Sequence, residues 1–273
     1  GAITGTADAT INGLTVGKGA NSVAGNTAFG LSALAAGVTG DLNVGVGRLA
    51  LTNLTSGTRN VALGSETLDA LTTGNDNVGV GYAALSSITT GSNNVGIGRQ
   101  AGASATTASN NTGIGFFALL NNTTGHSNTA VGHNALDANT TGNQSVAVGQ
   151  GALSSNTTAT ANVAVGSAAL NLVTTSADNV AVGRSALQFN TAADNTGVGS
   201  LALYLNTSGT RNTGLGRGAL QSNTTGGSNT AVGTGALDSN TTANNNTAVG
   251  RNALGLNTTG QENTAVGQAS LDA

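Results

Sequence analysis

The stretch NTTGHSNTAVGHNALDANTTG, residues 122 to 142, opens and closes on the same four letters and uses few residue types. Extended in both directions, it is one period of a repeat. Units counted from the Asn of NTAVG begin at Asn26, Asn43, Asn60, Asn77, Asn94, Asn111, Asn128, Ser145, Asn162, Asn179, Asn195, Asn212, Asn229, Asn246 and Asn263. Every step is 17 residues except Asn179 to Asn195, which is 16. The consensus is NTAVGxxALxxNTTGxx, and a degenerate further unit starts at Ala9. A fixed period of this length marks one supersecondary unit reused along the chain.

Each column has a physical reading. Column two holds only Thr or Val, column three only Ala or Gly, and column four is always apolar, from Phe29 to Val266. That two-residue alternation of β-branched with small side chains predicts a short strand, with columns two and four facing inward. The invariant Gly of column five and the later Thr-Gly mark corners. The Ala-Leu pair of columns eight and nine, such as Ala135 and Leu136, reads as a second short strand with Leu inward. No apolar stripe at helical spacing exists. The expected fold is therefore all-β, a parallel β-solenoid (β-roll) of about sixteen 17-residue coils over residues 26–273, after a lead-in over 1–25. Stacked at strand spacing, the coils predict a rod on the order of 75 Å long.

Small residues in columns three and eight predict close approach of another surface, and few large apolar groups per coil call for further burial. Both point to lateral self-association of rods, with a homotrimer as the expected state. Column twelve changes from Leu54, Leu71 and Ile88 to a run of Asn that includes Asn122, Asn139, Asn156, Asn190, Asn206, Asn223, Asn240 and Asn257. Amides at constant phase predict an Asn ladder along the coil axis. Arg48, Arg99, Arg184, Arg217 and Arg251 share column six, which reads as a solvated column that blocks unwanted edge pairing.

The composition excludes several classes. The 273 residues include 43 Gly, no Pro, Cys, Met or Trp, 2% aromatics and 7% charged residues, with a net charge of −3. So weak and scattered a charge predicts no nucleic-acid partner, and no apolar run is long enough for membrane insertion. No disulfide framework is available. Catalytic, cofactor-binding and metal residues are all expected to be none. The two histidines, His126 and His133, read as surface residues, and no Ser-His-acid set stands out. Glycine-rich segments such as GVGRLALTNLTSG lack the GK[ST] ending of a phosphate loop. Asp69, Asp137, Asp238 and Asp272 share column ten, but no two occupy adjacent coils, so a stacked calcium site is not expected. The NTT and NTS sequons, including those at Asn122 and Asn206, recur because the repeat recurs. Tyr82, Phe116, Phe117 and Tyr204 read first as core or inter-rod packing and second as a contact patch.

At NTAVGHNAL (128 to 136) and SVAVGQGAL (145 to 153) the sequence resembles the head repeats of trimeric autotransporter adhesins, whose unit carries a short Val-Ala-Val/Ile-Gly strand before a turn. That resemblance implies a left-handed parallel β-roll assembled as a trimer. The adhesin unit is shorter than 17 residues, and this chain departs from it in the added Leu-x-x-Asn-Thr-Thr segment. INGLTVGKGANSVAGNTAFGLSAL (11 to 34), with the NTTG-linked units that follow, looks like the repeat shaft of bacteriophage tail fibres. The adhesins also carry a coiled-coil stalk and membrane anchor, which this sequence does not show, so the expectation leans to the phage fibre.

The resulting expectation is a non-enzymatic structural protein of a virion, extracellular, a fibre shaft that contacts other virion proteins and supports attachment to a host-cell receptor. The alternative is a trimeric surface adhesin whose rod itself binds host cells or matrix. A minor alternative is an ice-binding β-solenoid, disfavoured because the paired Thr of columns thirteen and fourteen point to opposite sides.

Overall fold

A computed structural model describes residues 8–11 and 13–272. The first seven residues of the lead-in, Asn12 and Ala273 lie outside the described residues. The chain divides into two compact units, Gly1–Asn134 with Ala138–Thr141, and Ala135–Asp137 with Gly142–Ala273. Both are parallel β-solenoids with the predicted period.

The first unit begins with β1 (Ala9–Ile11) and β2 (Leu14–Gly17), followed by one 3-10 turn at Ala20–Ser22 and by β3 (Thr27–Gly30). One three-residue strand per coil follows: β4 (Val44–Val46), β5 (Val61–Leu63), β6 (Val78–Val80), β7 (Val95–Ile97), β8 (Thr112–Ile114) and β9 (Thr129–Val131). The second unit contains β10 (Val146–Val148), β11 (Val163–Val165), β12 (Val180–Val182), β13 (Thr196–Val198), β14 (Thr213–Leu215), β15 (Thr230–Val232), β16 (Thr247–Val249) and β17 (Thr264–Val266). Among the described residues this makes about 14 turns rather than about sixteen. The difference includes the degenerate first unit, which forms no coil. β1 pairs antiparallel with β2, and β2 antiparallel with β3. This hairpin occupies the edge of β3 that a parallel ladder would leave open, a common protection against unwanted strand addition.

From β3 onward, pairing within each unit is parallel and in register with the repeat, as in Val44↔Val61 and Val163↔Val180. At the 16-residue step, Val180 still pairs with Thr196, so the strand register survives. The missing residue is taken from the turn after Asn190, whose Nδ2 donates to Ala192 O (2.6 Å) and to Asn179 Oδ1 (3.2 Å).

The strand faces are the reverse of the expectation. Column three is buried, with Ala62, Ala130, Ala164 and Ala231 fully so, while columns two and four face outward. The cause is the width of the interior. A Cβ added at Gly45 would lie 3.2 Å from Ala50 O and 3.4 Å from Leu34 Cγ; one at Gly214 would lie 3.1 Å from Ala219 O and 3.4 Å from Leu203 Cγ. The far wall of the coil stands one methyl away, so only Ala or Gly fits. The small column is therefore core, and close approach of another rod does not explain it.

The far wall corrects a second expectation. Columns eight and nine form no strand but a chain of tight turns in which the column-nine leucines adopt positive φ, from +48° at Leu34 to +56° at Leu119. L-residues resist that region, at a cost of about 1–2 kcal/mol each. Burial of a Leu side chain, as at Leu34, Leu136 and Leu220, is worth a comparable 1.5–3 kcal/mol or so and offsets it. The turns also bond from coil to coil, as Leu34 N donates to Ala50 O (3.0 Å) and Leu170 N to Ala186 O (3.0 Å). Gly of column five has φ between +121° and +149°, and a Cβ there would sit 2.3 Å from the next coil's carbonyl oxygen at Gly30. That corner accepts nothing but Gly.

Candidate interaction surface

Two amide ladders hold the coils in line. The predicted one in column twelve is present: Asn139 donates to Asn122 Oδ1 (2.8 Å) in the first unit, and Asn206, Asn223 and Asn240 each donate to the Asn before them (2.7, 2.7 and 2.8 Å) in the second. Column one holds another, not anticipated from sequence, running from Asn26 to Asn128 and from Asn162 to Asn263. Each Oδ1 there accepts the next column-one backbone N–H; Asn43 Nδ2 also donates to Gly57 O (2.9 Å). Near-invariance of Asn beside a buried column was the signal for it. Because Asn122 and Asn206 are buried and bonded, the sequons at these two positions are inaccessible in the folded chain.

With the interior filled by Ala, Gly, Leu and Asn, the larger β-branched side chains lie outside. Columns two and four contain only Thr, Val, Ile, Leu and Phe in all fifteen coil strands, with no charge and no amide. Column four is the more exposed: Leu63 at 49% in the first unit and Leu215 at 47% in the second. On each unit this makes a continuous apolar file beside the Gly corner. Contiguous exposed apolar surface of this kind marks interaction sites.

Column six, one residue past that corner, is exposed as expected. Four successive positions in the first unit form a file of rings and cation: Tyr82, Arg99, Phe116 and His133. The Arg99 guanidinium lies 6.0 Å from the Tyr82 ring centre and 5.5 Å from that of Phe116; Phe116 stacks on His133 at 5.3 Å and 8°. Phe117 adjoins Phe116 at 3.9 Å. Tyr82 is 47% and Phe116 37% exposed, so neither is a core residue. In the second unit Phe189 meets Tyr204 edge-on at 5.0 Å.

The charged groups are dispersed. Arg48 pairs with Glu66, and Arg59 forks onto Asp76, its Nε and Nη2 each donating to a carboxylate oxygen at 2.7 Å. Those hydrogen bonds hold Asp76 below the usual carboxylate range. Burial pushes Asp69 and Asp238 upward, and Asp69 Oδ1 is buried without a partner. Among the described residues no three His, Asp or Glu side chains gather into a metal-binding group. His126 is exposed beside Ser127. A shallow groove of about 330 Å³ in the second unit is lined by hydroxyls and amides including Ser228, Asn244 and Asn245.

No protein-family model, curated protein or solved structure matches this chain. The fold itself defines the class: a parallel β-solenoid repeat protein, with an uncharged strand face turned outward on each of its units.

Proposed function

We propose that the chain is a structural shaft segment of a virion fibre, a homotrimer that joins other virion proteins and supports attachment to a host cell. The observation that carries this reading is the outward file of columns two and four, apolar or Thr in every coil. A free solvent face would tolerate Lys, Glu or Gln at some of these positions, and none occurs there. On each unit column four stands out as a crest more than as a plane, and such a crest can meet those of two neighbouring copies around a threefold axis. The trimer so argued uses a different face from the one the small residues suggested.

The solution mass of the purified chain tests it. Wild type is expected at three times the chain mass, and Val198→Lys with Val232→Lys is expected to dissociate it while the β-type circular dichroism persists. A wild-type monomer at micromolar concentration would overturn the trimer. The adhesin reading is separated by retention of the isolated chain on host cells.

One observation favours ice binding more than the sequence did. Thr196, Thr213, Thr230, Thr247 and Thr264 occupy the outward strand face in five successive coils, each beside an apolar column-four side chain. A monomer with thermal hysteresis would replace the fibre reading.

A further inference from the structure

Six buried rungs of the column-twelve ladder, Asn122, Asn139, Asn156, Asn206, Asn223 and Asn240, each begin an Asn-Thr-Thr or Asn-Thr-Ser triplet. That triplet is the acceptor sequence for Asn-linked oligosaccharides. The finished ladder hides these positions, but a transferase that reads the triplet meets the chain while it is still extended. Which event comes first then decides what the chain becomes.

Modification and fold compete for one atom. Oligosaccharyl transfer joins the sugar C1 to Asn Nδ2: the C1–O bond to a lipid pyrophosphate carrier breaks, the carrier leaves with that electron pair, and one Nδ2 hydrogen departs as a proton. An Asn amide has only two such hydrogens. In the ladder both are engaged. Asn206 Nδ2 donates to Asn190 Oδ1 (2.7 Å) and Gly209 O (2.8 Å), Asn223 Nδ2 to Asn206 Oδ1 (2.7 Å) and Gly226 O (2.9 Å), and Asn240 Nδ2 to Asn223 Oδ1 (2.8 Å) and Ala243 O (3.2 Å). A glycosylated rung loses one of these bonds, and its sugar has no room, because none of the six residues is more than 2% exposed. Since each coil leans on its neighbours, several blocked rungs disrupt the stack and not a single turn. Sequons outside the ladder differ. Those at Asn53, Asn110 and Asn245 begin on exposed residues, where a glycan projects into solvent.

We infer that Asn-linked glycosylation and this fold exclude one another, so that the chain is made and folds in a compartment without oligosaccharyl transfer to Asn. A virion fibre built in a cytoplasm meets that condition. The inference stands on the ladder alone and does not depend on the trimer.

The test expresses the full chain in one eukaryotic cell line, once in the cytosol and once behind a secretory leader. Peptide mass spectrometry reads the occupancy of each sequon, while circular dichroism and protease resistance read the fold. The cytosolic chain is expected bare and β-type. The secretory chain is expected to carry glycans on column-twelve Asn and to lose both the β-type spectrum and the protease resistance. Two changes should restore them: an inhibitor of lipid-linked oligosaccharide synthesis, and a variant altered at the third residue of every column-twelve sequon, from Thr124→Ala to Thr259→Ala. Those third residues are exposed and belong to neither ladder. The variant keeps the sequons at Asn53, Asn110 and Asn245, so glycans there on a folded chain separate the effect of the ladder from that of glycosylation in general. A secretory wild-type chain that folds, with its column-twelve Asn glycosylated or bare, overturns the inference, as does one that stays unfolded when the inhibitor has kept it bare.

Discussion

The early and late coils place different chemistry at the same interior position. In the first unit column twelve presents Leu54, Leu71 and Ile88, all fully buried; in the second, the run from Asn190 to Asn240 is as thoroughly buried. Leu removes apolar surface from water and needs no partner. Asn removes an amide, and survives because its neighbour one coil away accepts from it and a carbonyl three residues on does the same, as Asn223 does with Asn206 Oδ1 (2.7 Å) and Gly226 O (2.9 Å). The backbone accepts either residue, and mismatched rungs occur: Ala105 comes one coil before Asn122, and Val173 lies between Asn156 and Asn190, all of them buried. Within an unbroken Asn run each rung supplies its neighbour's partner, so a swap inside the run is the costly one.

The largest effect should fall on what the two regions share. Gly64→Ala and Gly216→Ala would each put a Cβ within 2.4 or 2.5 Å of the next coil's carbonyl oxygen. Both should destabilise by more than roughly 4 kcal/mol in chemical denaturation. A cost below about 1 kcal/mol in either unit would show that the corner can yield.

Exchange of column-twelve chemistry comes next. Leu71→Asn leaves an amide oxygen with no donor, because Leu54 and Ile88 carry none, and should cost about 3–5 kcal/mol. Asn223→Leu strands Asn206 Oδ1 and one bond of Asn240, for about 2–3 kcal/mol. Equal tolerance of both swaps, measured by denaturation and by amide exchange in the neighbouring coils, would break the idea that rungs inside an unbroken run depend on one another.

The smallest effect distinguishes two acids, one in each region. Burial raises the folded-state pKa of Asp69 and Asp238, so the folded chain holds protons there that the unfolded chain has already lost. Their stabilising contribution is present below the ordinary carboxylate value and is lost as pH rises through the raised folded one. Asp69→Asn and Asp238→Asn should each raise Tm slightly at pH 7 and leave it unchanged at pH 3. Asp76 has the opposite sign, since Arg59 lowers it: its contribution is present above the ordinary carboxylate value and is lost as pH falls through the folded one.

Period, phase, Gly corners and the column-twelve ladder were legible in the sequence because each leaves a strict mark at a fixed spacing. The orientation of the strand was not. Alternation of Thr or Val with Ala or Gly looks the same whichever face is inside, and the larger apolar residues suggest the wrong one. What decides is the interior width, set by the distance from column three to Ala50 O and its equivalents, and no local pattern states that distance. The left-handed turn at columns seven and nine had a faint signal: Gly151, Gly218, Gly235, Asn134 and Asn252 recur in column seven and Gly102 stands in column nine. Leu in the same conformation concealed it. The ring and cation file of column six was visible as residues, but its stacking followed only from knowing that successive coils superpose.

The identity of bonding from one coil to the next bears on how such a gene changes. Where residue n pairs with residue n+17, unequal recombination that removes or adds whole units in frame would rejoin equivalent backbone atoms and keep the strand register at the seam. A change of length by whole units would then need no new fold.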